Sequence, residues 1–426
     1  MQLNIDGKII QAEPEQSLKA LVAKLGLDAP KLSQRPLAAR IAGEVFTLNY
    51  IPLREKDGEG DRPSMRRAMA ASSGNIKLLR YGDSAGKEVY IRTAQFLMFL
   101  AFQQLWPKAR AVVGCTLGSS VYVTVEGAEN FSAERLKKHI QELVARDIPL
   151  LRRRVSREEA IARYAAMGRQ DKARLLSWRS LPYCSEYTHG DYTDSFFGEM
   201  APSTGFLTVW DVLSADGGFL FVFPDDLDPD RLAKLSPMPQ FFSVFSEGER
   251  WCRLMECQNA ADLNDLTVSG RIRELIRVNE ALHEKRFAQA ADLVSSRGAR
   301  VVLLAGPSSS GKTTSAHRLA TQLRVYGKKP VLMSLDDYYI DRDKIAPGPD
   351  GKLDLEHINT LDCDLFRKDI SELLAGKEVE LPTFNFKTGK REWSGKRLML
   401  AADSVIIAEG LHALNPAMLP ESVDMR

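Results

Sequence analysis

The residues that could do chemistry begin with a loop suited to holding a triphosphate. The run Gly306-Pro-Ser-Ser-Ser-Gly-Lys-Thr313 matches the pattern G-x-x-x-x-G-K-[ST], between the strand-like run 300–305 and the helical run 314–324. Glycines let backbone N–H groups point at phosphate oxygens, and the start of a helix adds partial positive charge. A chance match in a Gly/Ser loop is the alternative, and the flanking strand and helix argue against it. The predicted ATP-binding residues are Gly306, Ser308, Ser309, Ser310, Gly311, Lys312, Thr313 and Thr314.

Acidic residues follow two further apolar runs. Asp336 and Asp337 come directly after the run 330–335, and Glu409 comes directly after the run 404–408. Ligands of open parallel sheets bind at the carboxyl ends of the strands, so these carboxylates and the loop are expected at one crevice. A kinase needs a base for the acceptor hydroxyl and an acidic group for Mg²⁺. We therefore predict that Lys312 and Asp336 are catalytic and that Thr313 and Glu409 hold Mg²⁺. Capping of a loop or helix start is the alternative for the aspartates, and it stays open for Asp337.

The elements that must position these residues suggest a multidomain α/β and α+β chain. Three buried apolar runs with helical segments between them indicate a parallel α/β domain over residues 297–426. Residues 1–60 read as a small β-grasp unit, with a hairpin at Asp6-Gly7 and a helix after Ser17, followed by a linker over residues 54–75. Residues 76–224 read as an α+β domain with helices over 93–106 and 132–147 and strands that include 205–212 and 218–223. Residues 225–296 form a helical connector, in which Ser269 is predicted to cap a helix.

Composition restricts the class of protein. The chain has 426 residues, a formal net charge of +2 and five scattered cysteines without a Cys-x-x-Cys pair. This cysteine usage fits a reducing cytoplasm, and no apolar stretch reaches the length of a membrane span. The net charge alone does not imply a nucleic-acid partner. Residues 152–179 nevertheless hold nine Arg/Lys against three Asp/Glu, which suggests either an RNA-facing surface or a solvated helix face.

The last domain resembles the uridine kinase and phosphoribulokinase family. The resemblance rests on the loop at 306–314, the run Asp336-Asp-Tyr-Tyr339 and Ala408-Glu-Gly410. It implies that Asp336 is the base toward an acceptor hydroxyl, with ATP and Mg²⁺ as cofactors and a nucleoside as the acceptor. The sequence of this chain departs from the family pattern at Gly389, where nucleoside-specific members often have histidine. The implied substrate-binding residues are Asp336, Tyr338, Glu356, His357, Phe384 and Arg391.

The upstream part resembles two modules of threonyl-tRNA synthetase. Residues 1–60 look like a TGS domain, and residues 76–224 are similar to the second additional domain, through the runs 146–150, 155–160 and 194–205. In the synthetase that domain edits mischarged tRNA with a cluster of histidines and a cysteine. The four matching positions here carry side chains that are poor ligands or none, so we expect no editing hydrolase. These positions are Arg92, Phe96, Phe196 and Met200.

Three functional readings remain open at this point. The leading one is a cytoplasmic kinase acting on the 5′-hydroxyl of uridine or cytidine. A kinase for another small alcohol, such as a sugar phosphate, is a rival, and an ATP-dependent regulator that binds tRNA is another. Family kinases continue past the strand of Glu409 with an arginine-bearing lid. The kinase domain is therefore expected to be incomplete at residue 426.

Overall fold

The computed structural model describes residues 2–52, 74–235, 239–348 and 353–420. The chain divides into two compact units, Met1–Asp265 and Leu266–Arg426. Most of the predicted linker over residues 54–75 lies outside the described residues. Among the described helices, none is both long enough and apolar enough to cross a membrane.

The first unit begins with a five-stranded sheet in the order β2-β1-β5-β3-β4. Asp6 and Gly7 form the predicted hairpin turn with positive φ values of 48° and 83°. The Ser17 hydroxyl caps α1 by accepting from the Ala20 amide at 3.2 Å. The fifth strand pairs parallel with β1 and antiparallel with β3, and it lies beyond the predicted limit at residue 60. The elements are β1 (Gln2–Ile5), β2 (Lys8–Gln11), α1 (Leu18–Lys24), β3 (Ala38–Ile41), β4 (Glu44–Thr47) and β5 (Asn75–Leu79).

The rest of the first unit contains two antiparallel sheets, ordered β11-β12-β7-β6 and β10-β9-β8, and a long buried helix, α2. This helix begins at Ser84, not at Thr93, and the strand predicted over 205–212 begins only at Asp211. The elements are α2 (Ser84–Leu105), β6 (Arg110–Thr116), β7 (Ser120–Glu126), α3 (Ala133–Ala145), β8 (Arg152–Ser156), α4 (Arg157–Ala166), α5 (Gln170–Ser177), β9 (Tyr183–His189), β10 (Tyr192–Ser195), β11 (Asp211–Ala215), β12 (Gly218–Val222), α6 (Pro239–Leu254) and α7 (Ala260–Val268).

The second unit is built on a parallel sheet ordered β13-β17-β14, with a separate antiparallel ribbon of β15 and β16. The central strand β17 is buried along its whole length, whereas β13 is only half-buried because it lies at an edge of this sheet. Ser269 does not cap the following helix, because that helix starts only at Ile272 and the Ser269 hydroxyl donates to the Leu266 carbonyl. The elements are α8 (Ile272–Ser296), β13 (Val301–Ala305), α9 (Lys312–Val325), β14 (Lys329–Ser334), α10 (Cys363–Leu374), β15 (Val379–Asn385), β16 (Lys390–Leu398) and β17 (Ser404–Gly410).

The predicted fold class is confirmed as a mixed α/β structure with several sheets and a parallel sheet in the carboxy-terminal region. The finer domain limits at residues 60, 76, 224 and 296 stay predictions. What matters for function is the register of the parallel sheet. Ala305 aligns with Gly410, and both Leu304 and Ser334 align with Glu409, so three strands end at one edge.

Candidate functional site

The phosphate-binding loop connects the end of β13 to the first residue of α9. Ser309 and Gly311 have positive φ values of 60° and 82°, and Gly311 stands at the helix N-cap. A Cβ atom on Gly306 would lie 2.7 Å from the Ser310 hydroxyl oxygen and 3.3 Å from Lys312 Cγ, so a larger residue would displace side chains of the loop. Alternation of ordinary and left-handed backbone turns successive amides toward one concave side, which suits an anion.

Lys312 is the first residue of α9, and its ammonium group remains next to the loop. Its Nζ donates to the Pro307 carbonyl at 2.9 Å. The positive charge is therefore held over the loop at the start of a helix, where phosphate oxygens are favoured.

Glu409 connects the loop to the strand edge. It is 8% exposed, and its Oε1 atom accepts from the Thr313 hydroxyl at 2.9 Å and from the Ser334 hydroxyl at 3.4 Å. These are the hard oxygen donors that Mg²⁺ prefers, and Mg²⁺ commonly uses one or two carboxylates together with substrate phosphates. The described residues contain no cluster of three His, Cys, Asp or Glu for a metal, so Thr313 and Glu409 fit a shared ion better than a closed protein cage.

Asp336 follows β14 in a single tight turn over Leu335–Tyr338. Its amide donates to the Ser334 hydroxyl at 3.3 Å. Partial burial raises the pKa of its carboxyl, and the nearby carboxylates of Glu409 and Asp337 raise it further, while Lys312 lowers it. Asp336 therefore lies within electrostatic reach of both Lys312 and Glu409, as the sequence predicted, and its raised pKa suits a proton acceptor.

Asp337 has a different partner. Its Oδ1 atom accepts from the Phe384 amide at 3.2 Å, which ties the turn to strand β15. The structure thus favours the structural alternative for Asp337.

Tyr338, one of the predicted substrate-binding residues, lies in the core of its domain. It is 2% exposed, its hydroxyl donates to Asp369 Oδ2 at 3.0 Å, and its ring packs edge-on against Phe366. The ring of its neighbour Tyr339 packs instead against Phe384 and Phe386. Burial raises the pKa of Tyr339, and the negative charges of Asp336 and Glu356 raise it further. The doubled tyrosine was visible in the sequence, but which of the two faced inward was not.

An aromatic cluster lies beside the base candidate. We define it as Tyr339, Phe384 and Phe386, with ring centroids 5.5 Å apart for Tyr339 and Phe384, 5.1 Å for Phe384 and Phe386, and 6.2 Å for Tyr339 and Phe386. Phe384 is 7% exposed, so it supports the cluster, whereas Phe386 is 54% exposed. Phe386 follows Phe384 by two positions in the sequence. An exposed ring backed by two others is a surface on which a flat ligand can stack.

Glu356 and His357 are exposed and lie on one loop. The Glu356 carbonyl accepts from His412 Nε2 at 2.7 Å, and the His357 Nδ1 atom accepts from the Asn359 amide at 3.2 Å. The ring of His357 therefore caps a turn, and Glu356 is the better candidate for a substrate contact.

Arg391, also predicted to bind substrate, is held by other protein groups. Its side chain is 15% exposed, and its guanidinium donates to the Tyr339 carbonyl and the Asp362 carboxylate. At Gly389, a Cβ atom would lie 2.7 Å from Arg342 Cδ, so the stem of Arg342 fills the space that a larger residue would take.

The four metal-type positions of the first unit come together, but they form a packed cluster. Phe96 and Met200 are almost completely buried, and the rings of Phe96 and Phe196 meet edge-on at 6.0 Å. Arg92 donates to the Glu199 carbonyl. Apolar packing and an arginine thus stand where the resemblance implies metal ligands.

A cavity of about 430 Å³ lies beside this packed cluster, with Phe196 in its wall. Asp194 in the wall is 3% exposed and forms an ion pair with Lys172. Its carboxylate therefore already has a cationic partner and is not a free metal ligand.

From this packing we predict that the purified protein carries no stoichiometric zinc and does not deacylate seryl-tRNA. A phenylalanine at two of four ligand positions leaves too few donors for a transition metal. Elemental analysis and a deacylation assay, run beside an editing-competent threonyl-tRNA synthetase, test both points. One zinc per chain, or deacylation at the rate of that control, contradicts the prediction.

Four basic residues of the run 152–179 are paired with carboxylates from other segments. Arg152 binds Glu199, and Arg174 binds both Asp262 and Asp265. Arg163 and Lys172 are paired with Glu186 and Asp194. These pairs offset most of the local excess of positive charge, which favours a structural reading of the run.

Comparison with known proteins assigns the two halves separately. Residues 301–426 match the family model of the Phosphoribulokinase / Uridine kinase family. The threonine–tRNA ligase of Burkholderia lata is 26% identical over 220 residues, which cover 50% of this chain and 31% of the relative. The ligase of Symbiobacterium thermophilum is 27% identical over 220 residues, covering 50% of this chain and 30% of the relative. The match thus spans about a third of the length of these relatives.

Two solved structures give partial matches. A possible uridine kinase from Bacillus stearothermophilus is 18% identical, covers 33% of this chain and 76% of its own, and has a TM-score of 0.27. A proposed fructose transport system kinase from Silicibacter sp. is 21% identical, covers 29% of this chain and 62% of its own, and has a TM-score of 0.25. The carboxy-terminal residues are thus similar to the Phosphoribulokinase / Uridine kinase family, and the amino-terminal half is similar to threonine–tRNA ligase.

Proposed function

We propose that the protein is a Mg²⁺- and ATP-dependent kinase that phosphorylates the 5′-hydroxyl of a nucleoside, uridine or cytidine. The observation that carries this proposal is the convergence of Lys312, Asp336 and Glu409 at the edge where β13, β14 and β17 end. The aromatic cluster beside Asp336 supports a flat acceptor. A cytoplasmic location is part of the proposal and rests on the five free cysteines.

In this proposal the loop amides and Lys312 hold the ATP phosphates, and Thr313 and Glu409 hold Mg²⁺. The bound ion supplies charge neutralisation on the β- and γ-phosphates. Asp336 accepts the proton of the acceptor hydroxyl as the acceptor oxygen bonds to the γ-phosphorus. The bond from that phosphorus to the bridging oxygen breaks, and ADP leaves. Alignment of the hydroxyl with the phosphoryl group supplies most of the acceleration.

Two features support a nucleoside as the acceptor. The exposed ring of Phe386, backed by Phe384 and Tyr339, offers a stacking surface for a base. Glu356 is exposed, and its negative charge contributes to the raised pKa of Tyr339. A carboxylate here could accept from ribose hydroxyls. A sugar phosphate would use the carboxylate but not the stacking surface.

An ATP-consumption screen over nucleosides and small alcohols tests the acceptor. We expect ADP formation to rise with uridine and cytidine, and the product to be the 5′-monophosphate by NMR. Activity with only a sugar phosphate or another non-aromatic alcohol would replace the nucleoside by that acceptor. ADP formation unaffected by all acceptors would contradict the kinase proposal.

Replacing Phe386 with alanine is expected to raise the KM for the nucleoside about tenfold or more, with little change in ATP affinity. Base–aromatic stacking contributes about 1–3 kcal/mol, and 1.4 kcal/mol corresponds to a factor of ten. Trp393→Ala is the matched control, because Trp393 lies on the same ribbon, is 53% exposed and is outside the aromatic cluster. If KM rises equally in both variants, the increase comes from loss of any exposed aromatic residue on the ribbon and not from loss of stacking at Phe386.

The second candidate, a tRNA-binding regulator, is favoured by the similarity of the first half to threonine–tRNA ligase. The ion pairs within the basic run argue against a free phosphate-binding surface there. Filter binding with total tRNA at 50 and 200 mM salt separates the two, since phosphate contacts weaken steeply with salt. Tight, salt-dependent binding together with the absence of an acceptor would favour the regulator.

A further inference from the structure

We propose that Arg391 is a positioning residue that locks the segment carrying the base, Asp336, to the ribbon carrying the aromatic cluster. The proposal rests on the kinase function proposed above and goes beyond it by assigning a role to a residue whose guanidinium is bound by protein groups.

The guanidinium of Arg391 joins two separate elements. Its Nε and Nη2 atoms each donate to the Tyr339 carbonyl at 3.2 Å, and its Nη1 atom donates to Asp362 Oδ2 at 2.9 Å. Nη2 also lies 3.4 Å from the Tyr338 carbonyl oxygen. The same side chain thus holds the backbone directly after the Asp336 turn and the residue that begins α10.

Asp362, the partner of Arg391, is itself hydrogen-bonded to the turn that carries Asp336. Its amide donates to the Tyr338 carbonyl at 2.9 Å, and its Oδ1 atom caps α10 by accepting from the Leu365 amide at 3.0 Å. Arg391 therefore binds a residue, Asp362, whose position is already fixed by its role as the cap of α10.

Two further hydrogen bonds fasten the ribbon to the same segment. The Arg391 amide donates to Asp341 Oδ1 at 2.9 Å, and the Phe384 amide donates to Asp337 Oδ1 at 3.2 Å. Both acceptors lie within a few residues of Asp336. The base and the stacking surface therefore form one unit whose geometry depends on this set of contacts.

Lysine is a poor substitute for arginine here. The planar guanidinium presents donors in a fixed fork, which serves a carbonyl and a carboxylate together, whereas an ammonium is a point donor. Loss of the fork also leaves the Asp362 carboxylate without its cation. A small misplacement of a catalytic group costs rate, on the order of 10²-fold for about 1 Å.

The test compares Arg391→Ala and Arg391→Lys with wild type, using Arg397→Ala as the control. Arg397 lies on the same strand, β16, and pairs with Glu378 at 3.1 Å, but it is 64% exposed. We expect kcat to fall about 10- to 100-fold in both Arg391 variants and the acceptor KM to rise. ATP affinity should not change, because the phosphate-binding loop does not contact Arg391. Added guanidinium ion should restore part of kcat in Arg391→Ala but not in the Arg397 control.

Hydrogen exchange gives a readout that does not depend on activity. In Arg391→Ala the amides of Phe384 and Asp362, which are bonded to Asp337 and to the Tyr338 carbonyl, should exchange faster, while amides of α9 should not. Should Arg391→Ala fail to fold, Asp362→Asn keeps the size and the capping oxygen and should show the same changes to a smaller extent.

The outcomes separate the two proposals. A wild-type protein without any acceptor refutes the kinase function, and hydrogen exchange still decides whether Arg391 positions the segment. Unchanged exchange and kcat in both Arg391 variants, or a loss of ATP binding equal to the loss of kcat, would overturn the positioning role.

Discussion

Replacing Lys312 with alanine is expected to abolish measurable phosphoryl transfer while the protein stays folded. Lys312 begins α9, its ammonium donates to the loop carbonyl of Pro307, and its side chain is not among the buried core residues. In the reaction its charge lies where negative charge gathers on the β- and γ-phosphates. Turnover by coupled ADP assay and unfolding by circular dichroism measure the two effects separately.

The matched control for this variant is Lys368→Ala. Lys368 is an exposed residue of α10, so the substitution removes the same charge from the same unit. It should leave turnover unchanged. Activity of Lys312→Ala comparable to wild type would remove the physical basis of the kinase proposal, because no other lysine belongs to the loop over residues 306–313.

The main features of the parallel sheet and its loop could be predicted because each rests on local physics. A continuous apolar run predicts a buried strand. The acidic residue or glycine-rich loop that follows the run is then predicted to lie at the carboxyl end of that strand. The predicted loop lies between β13 and α9, and Asp336 and Glu409 follow or end strands that share one edge. These predictions needed no knowledge of long-range contacts beyond the parallel order of strands.

The surroundings of individual side chains could not be predicted from the neighbouring residues. Tyr338 and Tyr339 have the same side chain, and the structure buries the first against Phe366 with its hydroxyl bonded to Asp369 on α10. Arg391 was predicted to bind substrate. In the structure its guanidinium donates to the Asp362 carboxylate and the Tyr339 carbonyl. Both partners are distant in sequence, so no local pattern reports them.

In the first unit, the pairing of one strand also could not be predicted from local sequence. The segment Asn75–Leu79 completes the first sheet by pairing with β1 across more than seventy residues. Its short alternation of apolar and polar residues is equally consistent with the start of the next domain, and the sequence therefore predicted a domain beginning at residue 76. Pairing between strands so far apart is set by tertiary contacts that periodicity does not contain.

Replacing Asp336 with asparagine is expected to lower turnover on the order of 10²–10⁴-fold while ATP affinity barely changes. Asparagine keeps the size and shape of the side chain but cannot take up the proton of the acceptor hydroxyl. The triphosphate is held by loop amides, Lys312 and Mg²⁺, none of which is removed. Single-turnover rates and ATP binding by titration calorimetry measure the two quantities independently, and Asp337→Asn serves as the neighbouring control because Asp337 binds the Phe384 amide.

The pH dependence adds a second signature to the Asp336 prediction. Partial burial and Glu409 raise the pKa of Asp336, so its base form is lost at a higher pH than for an ordinary aspartate. The rate should therefore fall as pH falls through this raised pKa, and that limb should vanish in Asp336→Asn. If ATP binding collapses instead, Asp336 is a Mg²⁺ ligand and another residue must be the base. If neither turnover nor ATP binding changes, the aspartate only shapes its turn, and the ATP-dependent regulator becomes the better account of this crevice.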